Sequence, residues 1–110
     1  MSYNVQLAGT ITIKLFVTPL EIVQNLADFI YQKTNLECDW CKNDDDSYFI
    51  TCTEIVNGAY YPSRDYYEPD EYDYDFEFDE DYYRKLVRAF EEDNELELSV
   101  EISDLETEVL

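Results

Sequence analysis

From Glu71 to Asp79, acids and aromatic rings alternate without a break. Glu71, Asp73, Asp75, Glu77 and Asp79 hold one parity; Tyr72, Tyr74, Phe76 and Phe78 hold the other. A period of two belongs to extended chain, whose successive side chains point to opposite faces. The pattern predicts a strand with its carboxylates in water and its rings on a core, each ring burying a large apolar area.

A chain this acidic folds against its own charge. It carries 27 acids and 7 bases in 110 residues, a formal net charge of -20, and like charge opposes compaction. Yet 45% of its residues are apolar and 16% aromatic, unlike acidic disordered segments, which are poor in both. One folded domain over residues 1–110 is expected, with a modest core. So much charge, held at a cost in stability, points to a function that uses the field. Nucleic acid and anionic membrane would be repelled and are not expected as direct partners; basic proteins would be attracted.

The other segments read as follows. Val5, Leu7, Ile11, Ile13, Leu15 and Val17 alternate with mostly polar residues, a strand over 3–17 in which Gly9 marks a bulge or a turn. Thr18-Pro19-Leu20-Glu21 is a helix start with Thr18 as cap. Ile22, Val23, Leu26, Ala27, Phe29 and Ile30 form one helical face, ended by Thr34-Asn35. Residues 36–47 read as a polar loop. A strand follows from Tyr48 to about Val56, with a turn at Asn57-Gly58. A second helix runs from about Asp79 to Asp93, its apolar face made by Tyr82, Tyr83, Leu86, Val87 and Phe90. In the last strand Leu96, Leu98, Val100 and Ile102 alternate with Glu95, Glu97, Ser99, Glu101 and Ser103, and the tail from Glu106 to Leu110 is expected to fray. The order is β-α-β-β-α-β. It predicts an α+β fold, an antiparallel sheet with two helices on one face, as in a ferredoxin-like sandwich.

Little supports catalysis. Histidine is absent, which removes the commonest general base and metal ligand. Only Gly9 and Gly58 are available, so there is no glycine-rich phosphate loop. No catalytic residue and no cofactor is expected. Cys38-Asp39-Trp40-Cys41 has C-x-x-C spacing, but Cys52 is the only other thiolate, and a zinc site wants four ligands. The pair also follows a helix, inside an acidic loop, unlike a thioredoxin-type motif. Three inert thiols, in a reducing compartment, is the first reading, and a metal or redox role the alternative. Asn43-Asp44-Asp45-Asp46-Ser47 lacks the spaced ligands of a calcium loop, so no metal site is expected. With no leader pattern at the N-terminus and no membrane-length apolar run, the cytoplasm is expected.

The candidate contact residues are Glu68, Asp70, Glu71, Asp73, Asp75, Glu77, Asp79, Glu80 and Asp81, a stretch without a base. Alternate residues of a strand stand roughly 6.6–6.8 Å apart. Successive phosphates of one DNA strand, with ~3.4 Å of axial rise each, are roughly 6–7 Å apart through space. Lys and Arg side chains built to hold a backbone would then accept this row of carboxylates. Glu95, Glu97 and Glu101 form a second row on the outward parity of the last strand. Tyr60, Tyr61, Tyr66 and Tyr67 fit either core packing or a contact surface, where Tyr66 and Tyr67 would stack on Arg.

In small size, net charge and residues 68–81 and 95–101, the chain resembles the phage- and plasmid-encoded DNA-mimic inhibitors, the anti-CRISPR and anti-restriction proteins. Val5-Gln6-Leu7-Ala8-Gly9-Thr10-Ile11-Thr12-Ile13 is also similar to the strands that open many small phage proteins. Such inhibitors share no common fold. The resemblance implies a non-enzymatic inhibitor that occludes the DNA- or RNA-binding groove of a nuclease or CRISPR effector complex in the host cytoplasm, as a monomer or homodimer. The same charge would suit an immunity protein or acidic chaperone for another basic nucleic-acid-binding protein. A divalent-cation-binding module is a third reading.

Overall fold

The computed structural model describes residues 2–63, 67 and 70–110. Its elements are β1 (Tyr3–Phe16), α1 (Leu20–Thr34), β2 (Cys38–Lys42), β3 (Tyr48–Tyr61), β4 (Glu71–Asp73), α2 (Glu80–Asp93), β5 (Ser99–Ile102) and β6 (Glu106–Val109). The fold is α+β, with one antiparallel six-stranded sheet and two helices. The order, β-α-β-β-β-α-β-β, has two strands more than the periodicity predicts.

A long ribbon of β1 and β3 organises the sheet, paired from Tyr3 opposite Tyr60 to Leu15 opposite Tyr48. The strand order is β2-β3-β1-β5, with β4 also on β3 and β6 also on β1. Four local expectations are corrected by this pairing. Residues 36–47 are not all loop: β2 forms a hairpin with β3, closed at its turn by the Asn43 amide donating to the Ser47 carbonyl at 2.7 Å. Asn57-Gly58 is not a turn, because β3 continues through it. Gly9 stays inside one unbroken β1. The tail does not fray, because β6 pairs with Leu7 to Thr10 of β1. Between Glu101, opposite Lys14, and Glu106, opposite Thr10, the chain spends five steps against four on β1. The extra residue is a bulge that lets this interrupted edge follow β1.

Leu7, Ile11, Ile13 and Leu15 of β1 point to one face with Ile50 and Cys52 of β3. Both helices cover that face: Val23, Leu26, Ala27 and Ile30 of α1, and Tyr83, Leu86, Val87 and Phe90 of α2. Phe29 and Phe90 meet edge to face between the helices, at 5.6 Å. Thr18 does not cap α1; its hydroxyl donates to the Phe16 carbonyl at 2.9 Å, and Pro19 takes the N-cap position. Asn35 ends α1 in the left-handed region, its amide reaching the Tyr31 carbonyl. Among the described residues no helix is long and apolar enough to cross a membrane.

The molecule measures 54 × 28 × 18 Å, with a radius of gyration of 17.0 Å, against about 13 Å for a compact domain of this length. A strand of 14 residues spans about 46 Å and a helix of 15 about 22 Å. The helices therefore cover only half of the ribbon.

Candidate partner-binding surface

The segment that follows β4 covers the other half. Three pairs hold β4 to β3: Glu71 opposite Tyr61, Tyr72 opposite Tyr60 and Asp73 opposite Ala59. The predicted strand over 71–79 ends there, and residues 74–79 are irregular. The carboxylate spacing of a strand therefore does not extend past Asp73. Two carboxylates explain the departure. Glu54 sits on the helix-facing parity of β3 and accepts from the amides of Glu77 at 3.1 Å and Phe78 at 3.2 Å. Asp79 caps α2, accepting from the Tyr82 amide at 2.9 Å. Together they draw the chain off the edge of β3 and across the helix-facing side of the sheet.

The rings follow. Phe76 lies on Gly9, so close that an added Cβ would stand 2.8 Å from it. Tyr72 stacks on Tyr60 at 4.9 Å, and Tyr60 on Tyr3 at 6.3 Å. Phe78 packs on Tyr82 at 4.7 Å. The rings are less buried than expected: Phe76 and Phe78 are half-buried, and Tyr72 and Tyr74 are exposed. The alternation still sorts the acids, since Glu71, Asp73, Asp75, Glu77 and Asp79 are all exposed.

The other predicted contact residues divide. Glu68 and Tyr66 lie outside the described residues, and Tyr67 is exposed. Asp70 is engaged within the molecule: it accepts from the Ser63 amide at 2.9 Å and the Tyr60 hydroxyl at 2.8 Å. These bonds, the Ser63 amide first, hold its carboxyl below the ordinary 3.8, and the hydrogen bond to Asp70 raises Tyr60 in turn. Glu80 pairs with Arg84 and shares a hydrogen bond with Asp104, which lowers Glu80 and raises Asp104. Asp81 is exposed in the first turn of α2. Glu95 and Glu97 are not on a strand with Glu101, because β5 begins only at Ser99. They line a groove with Arg88, Glu91 and Glu92 at the end of α2.

Register brings a different set together. Residues directly opposite in a sheet share a face, and the even positions of β1 turn away from the helices. Glu101 lies opposite Lys14, Glu106 opposite Thr10 and Glu108 opposite Ala8. Across β3, Asp73 joins the row of Ala59 and Asn4, Glu71 the row of Tyr61, and Asp39 of β2 the row of Thr51 and Thr12. The Thr10 and Thr53 hydroxyls, 3.2 Å apart, lie on the same face. All six carboxylates are exposed on the helix-free side. From the Glu101 row to the Asp73 row is ten residues of β1, about 33 Å. Lys14, itself 3.5 Å from Asp45, is the one base on this face among the described residues. Lys33, Arg84, Lys85 and Arg88 are on the helices.

Asp39, Glu106 and Glu108 are absent from the residues singled out by sequence. Glu106-Thr107-Glu108-Val109 carried the same period-two signal as the other strands. Glu54 was also legible in principle, as a carboxylate on the core parity of an otherwise apolar alternation. The chain matches no known protein family, no curated protein and no solved structure.

Proposed function

We propose that this protein is a nucleic-acid mimic that binds and occludes the basic DNA- or RNA-binding groove of another protein, and that the helix-free sheet face is the mimicking surface. The resemblance to DNA-mimic inhibitors suggests the partner class, a bacterial defence nuclease complex in the host cytoplasm. The observation that carries the reading is the face itself: six exposed carboxylates and one lysine along about 40 Å.

The spacing supports it. Glu71 and Asp73 are two residues apart, as are Glu106 and Glu108, so each pair stands roughly 6.6–6.8 Å apart, near the roughly 6–7 Å between phosphates. The pairs flank the ribbon on opposite sides, three strand spacings or about 14 Å apart across it and six residues of β1 or about 20 Å apart along it. Backbone pairing holds these carboxylates in place before binding, so less entropy is lost on association than by a loose acidic tail. For the fold, we propose a ferredoxin-like core with β4 and β6 added; the order β2-β3-β1-β5 and the shared helical face support it.

Charge reversal tests the surface. A partner captured from bacterial lysate at low salt is loaded with a fluorescent duplex, and displacement by the protein is measured. Reversing Glu71, Asp73, Glu106 and Glu108 to Lys is expected to weaken displacement on the order of 100-fold or more. Reversing Asp75, Glu77 and Asp81, on the helix side, should have a much smaller effect. Undiminished displacement by the first variant, or a partner that holds no nucleic acid, overturns the proposal.

A further inference from the structure

Cys38 of β2 and Cys52 of β3 are directly opposite each other on the helix-facing side of the sheet, with their sulfurs 3.4 Å apart. We infer that Cys38 and Cys52, rather than the C-x-x-C pair Cys38 and Cys41, form a reversible disulfide site, closed by a mild two-electron oxidant such as hydrogen peroxide. This inference is independent of the partner-binding face.

Opposed residues of an antiparallel pair have Cα atoms about 4.5–5.5 Å apart, inside the roughly 4.4–6.8 Å that disulfides span. The bond therefore asks for side-chain rotation, not backbone movement. Cys41 is placed wrongly for either sulfur. It stands opposite Phe49, three residues along the strand, and so projects from the other face. The spacing that looks like a redox motif in the sequence is broken by the pleat.

The two thiols have different access. Cys52 is 1% exposed. Cys38 is half-buried and lines a groove of about 500 Å³ between α1 and β2, beside Asp28, Tyr31 and Trp40. An oxidant as small as peroxide reaches Cys38 through this groove. The Cys52 hydrogen bond holds Cys38 below the ordinary thiol range, against desolvation and the Asp39 charge. The same contact, then burial, pushes Cys52 up. The sulfur that meets solvent is thus the one that ionises more readily, and the thiolate is the nucleophile.

The chemistry takes two displacements. The Cys38 thiolate attacks one peroxide oxygen; an S–O bond forms, the O–O bond breaks, and hydroxide leaves as water after taking a proton. The Cys52 sulfur then attacks the Cys38 sulfenic acid; the S–S bond forms, the S–O bond breaks, and a second water leaves with the Cys52 proton. Both sulfurs are oxidised and both peroxide oxygens reduced. A dithiol reductant reverses the outcome. The bond ties the edge strand β2 to β3, and amide exchange in β2 should slow.

The test is to treat the whole protein with stoichiometric hydrogen peroxide, alkylate, and map it by mass spectrometry. The expected product has lost two hydrogens, carries a Cys38–Cys52 link and is alkylated only at Cys41. Cys41→Ser should form the same link and Cys38→Ser should form none. Cys52→Ala opens the core and risks misfolding, so mapping of the unmutated protein decides. A Cys38–Cys41 link, over-oxidised Cys38 without a link, or three unreacted thiols overturns the inference.

Discussion

Gly58 shows how one residue is used differently from what its neighbours suggest. Asn57-Gly58 reads as a turn because glycine tolerates positive φ, yet no glycine here has positive φ. The structure uses its lack of a side chain. A Cβ at Gly58 would stand 2.6 Å from the Asp73 carbonyl and 2.8 Å from Leu7. Gly58→Ala therefore sets two effects against each other. The stiffer unfolded chain would stabilise by about 0.4–1 kcal/mol, and overpacking against backbone would cost about 1–3 kcal/mol. Overpacking should win, with a lower urea midpoint and looser β4; a midpoint at or above that of the parent contradicts the packing account. Carboxylates teach the same lesson. Asp70, Asp79 and Glu80 look like free contact residues in the sequence, but each has a partner inside the molecule: Asp79 and Glu80 are engaged locally on α2, and Asp70 has a partner that only three-dimensional proximity reveals.

At the scale of elements, the helices were legible and the strands only partly so. Both helices lie where a 3.6-residue apolar face puts them, because that pattern sits within the chain it organises; of the end signals read at α1, Asn35 holds and Thr18 does not. Asp79, at the expected start of the second helix, caps α2 through the Tyr82 amide. Asp79→Ala should cost about 1 kcal/mol, read as a lower denaturation midpoint, whereas Asp79→Asn should keep most of the stability. Equal losses in the two variants would mean that the charge, not the hydrogen bond, does the work. The segment 71–79 misled for a physical reason. Alternation states which side chains are wet, but irregular extended chain alternates as well as a strand does. A strand needs a free edge, and the edge of β3 is held by β2 at one end and offers β4 three pairs at the other. β2 and β6 were missed because four or five residues on a sheet edge are too few to set a strand apart from a loop or a tail, even where, as in β6, they alternate.

The whole molecule is a long, thin sheet with acids on its open side and most of its bases on its helices. Self-repulsion on that scale is screened by salt. Raising ionic strength from about 0.01 M to about 1 M shortens the Debye length from about 30 Å to about 3 Å. Thermal stability should rise with it, and a gain of about 1 kcal/mol appears as roughly 4–8 °C in the melting temperature for a domain near this size. A melting temperature that is flat or falls with sodium chloride would show that the charges are already compensated. Composition, periodicity and end signals are local, so the sequence by itself determined the net charge, the two helices, the apolar faces and which acids are exposed. Which acids share a face was decided only by tertiary structure, because it depends on pairs as distant as Ala8 and Glu108. The meeting of Cys38 with Cys52, instead of Cys41, has the same origin: strand register, which the packing of the whole sheet on its core selects.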